Sequence, residues 1–148
     1  QLPYTVPRGV YQCNDSKWVG VSASSDTVAA RVVEVLGFAG DERFSTFSSR
    51  VKHRDVLHEL MTKYCASRNS ATVLKVFTEA QAAIGPVLSM ADIADDPHFA
   101  ARQAIKIVGT TPMQGLIAAL SGTPGELKWE GRDLNADGDE IRKNLWGK

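Results

Sequence analysis

Polar and apolar residues alternate near the start of the chain, recur at helical spacing through its middle, and alternate again beyond residue 104. Residues 1–8, with Pro3 and Pro7, predict an irregular leading segment. The β-prone runs Val10-Tyr11-Gln12-Cys13 and Trp18-Val19-Gly20-Val21-Ser22 flank a polar turn, Asn14-Asp15-Ser16-Lys17, and predict a β-hairpin. Ser24, Ser25 and Asp26 each offer an N-cap to a helix with Val28, Val32, Val35 and Leu36 on one face, stopped by Gly37. Residues 41–44 predict a single short helical turn. The clearest helix places Leu57, Leu60, Met61 and Tyr64 on one stripe, with Phe47 and Val51 extending it upstream. Lys52, Arg54, Asp55, Glu59 and Lys63 occupy the opposite face. Ser70 would cap a third helix that buries Val73, Leu74 and Phe77 and runs to about Gln81.

Residues 84–88 form an apolar run interrupted by Gly85-Pro86, which disfavours helix and suits an extended segment. Ser89 and the Asp95-Asp96-Pro97 cluster then mark the starts of short helices near residues 90–94 and 96–103. Ile105-Lys106-Ile107-Val108 and Leu116-Ile117-Ala118-Ala119-Leu120 predict a second hairpin across residues 109–115. Ser121-Gly122-Thr123-Pro124-Gly125 is a loop, and a last helix spans about Gly138–Leu145. The expected fold is α+β: β-hairpin, three helices, crossover segment, second β-hairpin and C-terminal helix.

Composition narrows the function classes. The 148 residues are 43% hydrophobic and 23% charged with a formal net charge of zero. They show no block of like charge of the kind that marks a nucleic-acid surface. No apolar run reaches the roughly 18 residues of a membrane span, and no signal peptide is visible. Cys13 and Cys65 are in no CxxC or zinc spacing, which favours a reduced, cytoplasmic setting. The start at Gln1 reads as a piece of something longer.

No nucleophile elbow, phosphate loop, HExxH or dinucleotide fingerprint is present. His53 and His58 lie five apart, about 140° round a helix, and read as solvated surface histidines rather than metal ligands. Cys65 beside the apolar stripe reads as core. Asp133-Leu134-Asn135-Ala136-Asp137-Gly138-Asp139 opens like a calcium loop, but the closing position holds Asn144 where a bidentate Glu belongs. An acidic N-terminal region for the last helix explains the same residues, so no metal site is assigned.

Several strings together resemble the C-terminal portion of family III CoA-transferases, the CaiB/BaiF group. These are Gly9-Val10-Tyr11-Gln12-Cys13 with Trp18-Val19-Gly20-Val21-Ser22, Arg50-Val51-Lys52-His53-Arg54-Asp55, and Ile84-Gly85-Pro86-Val87 followed by Asp96-Pro97-His98-Phe99-Ala100-Ala101-Arg102. Leu120-Ser121-Gly122-Thr123-Pro124-Gly125 completes the set. The chain departs from the family at Ala82-Ala83-Ile84 and at Asn135-Ala136-Asp137-Gly138. The resemblance implies a small domain over residues 1–125 and a C-terminal return segment with its tail helix over 126–148. It implies transfer of CoA between carboxylic acids through an aspartyl-CoA thioester, the nucleophilic aspartate lying in a large domain outside this chain. No catalytic residue is therefore assigned here, and Asp26 and Asp96 receive no such role. Pro7, Arg8 and Gly9 are the substrate-side candidates, because residues 5–11 correspond to the segment nearest the cleft. The partners implied are acyl-CoA and carboxylic acid substrates and a second copy in a homodimer, with CoA a substrate and no cofactor, nucleic acid or membrane. A 2-methylacyl-CoA racemase-like fragment, or a non-catalytic binding or assembly module of the same fold, are the alternatives.

Overall fold

Alternation at the start of the chain produces the predicted hairpin. In the computed structural model, which describes residues 5–145 and side chains through residue 144, strand β1 is Arg8–Gln12 and β2 is Trp18–Ser22. Residues 1–4 of the leading segment lie outside the described residues. The strands pair antiparallel with Gly9 opposite Val21 and Tyr11 opposite Val19, so these four share the inner face. The loop closes with Cys13 N–H donating to Lys17 O at 2.8 Å and with Ser16 in the left-handed region at φ 63°. That is a three-residue hairpin loop ending in an αL residue. Strand β3, Ile84–Val87, adds to β2 and gives the order β1-β2-β3. Pro86, opposite Val19, is tolerated because β3 is an edge strand and a proline there forfeits no ladder bond.

Helices cover the inner face. Helix α1, Asp26–Val35, is capped by the Ser25 hydroxyl and ends before Gly37 at φ 85°. A 3₁₀ turn covers Glu42–Phe44. The predicted long helix is broken: α2 is Phe47–Lys52, α3 is Arg54–Ala66, and His53 between them sits at φ −106°, ψ 25°. The break turns α2 relative to the α3 stripe, so Arg50 faces inward while Phe47 is 43% exposed. Helix α4 is Ser70–Glu79. Its N-cap is Asn69, not Ser70, whose hydroxyl instead donates to Asp15 Oδ2 of the hairpin loop at 2.7 Å. Leu57, Met61, Cys65, Val73 and Phe77 are fully buried, each contributing about 1.5–3 kcal/mol where the side chain is large and apolar.

These elements make up the first of two compact units, Gln1–Leu88, and the second is Ser89–Lys148. In the second, α5 (Met90–Asp95) begins with a reciprocal Ser89–Asp92 capping box, and α6 (Pro97–Ala101) is capped by Asp96 with Pro97 at its first position. The second hairpin differs from expectation. Strand β4, Ile105–Val108, pairs with β5, Thr111–Gln114, not with residues 116–120. Gly109 at φ 60° permits a two-residue turn directly after β4, and turn chemistry sets the register over the more apolar run downstream. Pro112 fits because Ile107–Pro112 is a non-hydrogen-bonded pair, in step with the Gly115 N–H to Ala104 O bond of 2.8 Å. Among the described residues of this unit only Gly115 is buried, while Ile117 is 81% exposed. Helix α7, Gly138–Leu145, closes the chain.

Candidate functional site

Arg50 organises the approach to the site. It is 2% exposed, and its Nε donates to Val6 O at 3.0 Å while Nη1 donates to Phe44 O at 3.3 Å. Its Nη2 pairs with Asp26, whose side chain is largely in solvent. One buried guanidinium thus ties the leading segment to α2 and α1. On the other side of the cis Val6–Pro7 bond, Pro7 O accepts from Ala23 N–H at 3.0 Å, extending the β1–β2 ladder.

This anchored segment forms one wall of a small pocket lined by Thr5, Val6, Pro7, Arg8, Tyr11, Arg54 and His58, with a volume of about 10 Å³. Arg54 opens α3 and His58 follows one turn later, so both point to the same side of the helix. The His58 ring packs on Tyr11 with centroids 5.2 Å apart and planes at 42°. His58 Nδ1 and Thr5 Oγ1 are buried with no hydrogen-bond partner among the described residues. Burial pushes the Tyr11 phenol up to about 12, so it stays a neutral donor. The lining includes no carboxylate, and the positive end of α3 adds to its cationic character.

Of the sequence-derived candidates, Pro7 and Arg8 line this pocket and Gly9 does not. Gly9 lies beneath the Tyr11 phenol, where an added Cβ would come within 3.1 Å of the hydroxyl oxygen. Glycine there lets the ring reach the pocket. Thr5 and Tyr11 bound the segment expected nearest the cleft without being named as candidates, and Arg54 and His58 read from the sequence as solvated helix surface. His58 is half-buried against Tyr11, not a solvated surface histidine. The i,i+4 spacing of Arg54 and His58 was the available signal.

The remaining candidates resolve as structure. Cys65 is fully buried, and burial with the neighbouring Cys13 holds its thiol up at about 12. Asp137 pairs with Arg132, Asp139 with Arg142 at 2.6 Å, and no cluster of three metal-ligating side chains occurs among the described residues. A larger cleft of about 550 Å³ in the second unit is lined mainly by apolar groups such as Met90, Phe99, Ile105, Met113 and Leu116.

Residues 1–138 match the profile of CoA-transferase family III. The chain belongs to that family. It is 30% identical to the succinyl-CoA–D-citramalate CoA-transferase of Chloroflexus aurantiacus, over 99% of this chain and 38% of that protein. It is 26% identical to the succinyl-CoA–L-malate CoA-transferase beta subunit of the same organism, over 97% and 38%. A CaiB/BaiF family protein from Brucella suis superposes with a TM-score of 0.72 at 25% identity, over 97% of this chain and 39% of that structure. This family III chain therefore spans well under half the length of the relatives it matches. The α+β architecture, with two small antiparallel sheets and several helices, is that of the CaiB/BaiF neighbour.

Proposed function

We propose that this chain is the C-terminal portion of an enzyme that moves CoA between carboxylic acids, with residues 1–125 as its small domain and 126–148 as its return segment. The family match carries the reading, and both relatives described above are CoA-transferases. The nucleophilic aspartate is supplied from outside these 148 residues. Its carboxylate attacks the acyl-CoA thioester and expels CoA thiolate, leaving a mixed anhydride. The thiolate then attacks the aspartyl carbonyl, releasing the first acid and forming an aspartyl-CoA thioester. The acceptor acid reverses the sequence, so one difficult exchange becomes several easier covalent steps. This chain's part is to bound the acyl end of the cleft with the segment that includes Pro7, Arg8 and Gly9, whose path Arg50 sets.

The protein works as a homodimer in the cytoplasm on acyl-CoA and free acids, with CoA as substrate and no cofactor. Two adjacent free thiols, Cys13 and Cys65, support the reducing compartment. No helix among the described residues is long and apolar enough to cross a membrane. Transfer is preferred over racemisation because the named relatives are transferases. The test is CoA exchange by the full-length protein with succinyl-CoA and a panel of acids. Isotopic oxygen from the acceptor acid should appear in one enzyme aspartate outside residues 1–148. Robust exchange by the 148-residue chain alone would refute the assignment of the nucleophile, and epimerisation without exchange would favour the racemase.

A further inference from the structure

Six arginines fall in the first unit, and four of them are engaged. Arg43 pairs with Asp41, Arg50 with Asp26, Arg31 donates to Gln81 O, and Arg68 lies over Tyr64 and donates to Ser67. Arg8 and Arg54 have no such partner among the described residues, and both line the same pocket. The buried side-chain polar atoms without a partner, Thr5 Oγ1 and His58 Nδ1, belong to residues lining that pocket as well. Chance placement would scatter these four groups over the unit. Their convergence, in a lining without a carboxylate, describes a site short of one anion.

We propose that the Arg8–Arg54 pocket receives a carboxylate on the far end of the acyl group, which makes dicarboxylic acids the substrate class of this protein. The inference rests on the transferase reading. Two guanidiniums facing one anion give charge-assisted hydrogen bonds. The orphaned polar atoms on Thr5 and His58, residues of the same lining, would be satisfied by a carboxylate oxygen or by one water. The volume of about 10 Å³ is room for one water-sized group, so one carboxylate oxygen enters while the other stays at the mouth. A methyl or an amide in the same place would leave the arginines and the orphaned atoms unpaired, and sites built for a polar group reject analogues that lack it. The succinyl donor named for both relatives fits this class.

The binding arm is an NMR titration of the 148-residue chain with succinate, succinamide and inorganic phosphate at constant ionic strength. Succinate is expected to saturate shifts of the His58 ring, the Tyr11 ring and the Arg8 and Arg54 side-chain N–H groups. Arg54→Gln and Arg8→Gln should each weaken it about tenfold, roughly 1.4 kcal/mol, with core methyl resonances unmoved. No succinate shift, an equal response to succinamide, or tighter binding of phosphate overturns the proposal. The activity arm compares succinate with butyrate as acceptors for the full-length protein. Arg54→Gln should lower the succinate-to-butyrate ratio of kcat/KM at least about tenfold, through a higher KM for succinate. An unchanged ratio in both variants overturns the dicarboxylate assignment. Absence of CoA transfer with every acid sinks the transferase reading instead, and the titration still decides the pocket.

Discussion

Replacing Arg50 tests the central structural claim, that this side chain matters as a donor to two backbone carbonyls more than as half of an ion pair. In Arg50→Met the apolar stem is kept and the guanidinium is lost. The Val6 and Phe44 carbonyls then lose their donors inside a region where Val6 is 6% and Phe44 2% exposed. A buried polar group left unsatisfied costs about 1–3 kcal/mol, so the pair predicts a loss of about 2–6 kcal/mol. The third contact behaves differently. Asp26 keeps its side chain 70% exposed although Arg50 is buried, so water reaches its side of the pair, and an asparagine there keeps an oxygen that still accepts from Nη2. Asp26→Asn should therefore cost less than about 1 kcal/mol, including its share of the α1 dipole interaction. Arg50→Lys, which can reach one acceptor at a time, should fall between them.

The assay is chemical denaturation followed by the methyl resonances of Val19, Val32 and Val73, which report the core of the first unit. Midpoints should shift at constant m-value, because the surface exposed on unfolding is unchanged. Equal losses from Arg50→Met and Asp26→Asn would refute the reasoning, since they would make the ion pair the dominant contact. A loss below about 0.5 kcal/mol for Arg50→Met would mean that the carbonyls find water, against their burial.

Other outcomes follow from the same structure. The Ser70 hydroxyl, together with its backbone N–H and that of Lys17, holds Asp15 below the usual carboxylate range. The unfolded chain thus takes up that proton first, and the stability Asp15 gives is full above about pH 4 and drains as pH falls through the folded value. Asp15→Asn should flatten that acid limb, and an unaltered slope in pH-dependent denaturation would contradict it. Cys13 and Cys65 should resist alkylation at pH 8 until the chain unfolds, since burial keeps Cys65 protonated up to about 12; rapid labelling of native protein would show the core open there. Gly115→Ala should melt the β4–β5 ladder at a cost of about 1–3 kcal/mol, because its Cβ would lie 2.1 Å from Gln103 O. Retained slow amide exchange at Gly115 would count against that packing.

Much of the fold was legible because each element announced itself locally. The alternating runs around Asn14-Asp15-Ser16 gave β1 and β2, and the Leu57–Leu60–Met61–Tyr64 stripe gave α3, since both periods are local properties of the chain. The failures have physical causes of two kinds. In the second hairpin, hydrophobicity pointed to residues 116–120, whereas the Gly109-Thr110 turn commits the strand to the short polar run Thr111–Gln114 first. At His53 a helix that looks continuous by periodicity is interrupted, and the interruption decides that Arg50 is the inward side chain rather than Phe47.

The pocket was harder to see, because its defining property is a set of missing partners. Arg8 was flagged as belonging to a segment, but Arg54 read as one more charge on a solvated helix face. Nothing in the sequence says that Arg43 finds Asp41 while Arg54 finds no acid among the described residues. That difference arises from the break at His53, which starts α3 at Arg54, and from Arg50, which draws Val6 to α2 and so brings Arg8 alongside. The two arginines of the Arg50-Val51-Lys52-His53-Arg54 string therefore divide the work. The buried one spends its donors on backbone and fixes the segment, and the half-exposed one keeps its donors for a ligand. Destabilising Arg50 variants should consequently weaken succinate binding even though Arg50 does not line the pocket, whereas Arg54→Gln should weaken binding at nearly full stability. Measuring both properties on both variants separates positioning from recognition, and identical profiles would dissolve the distinction.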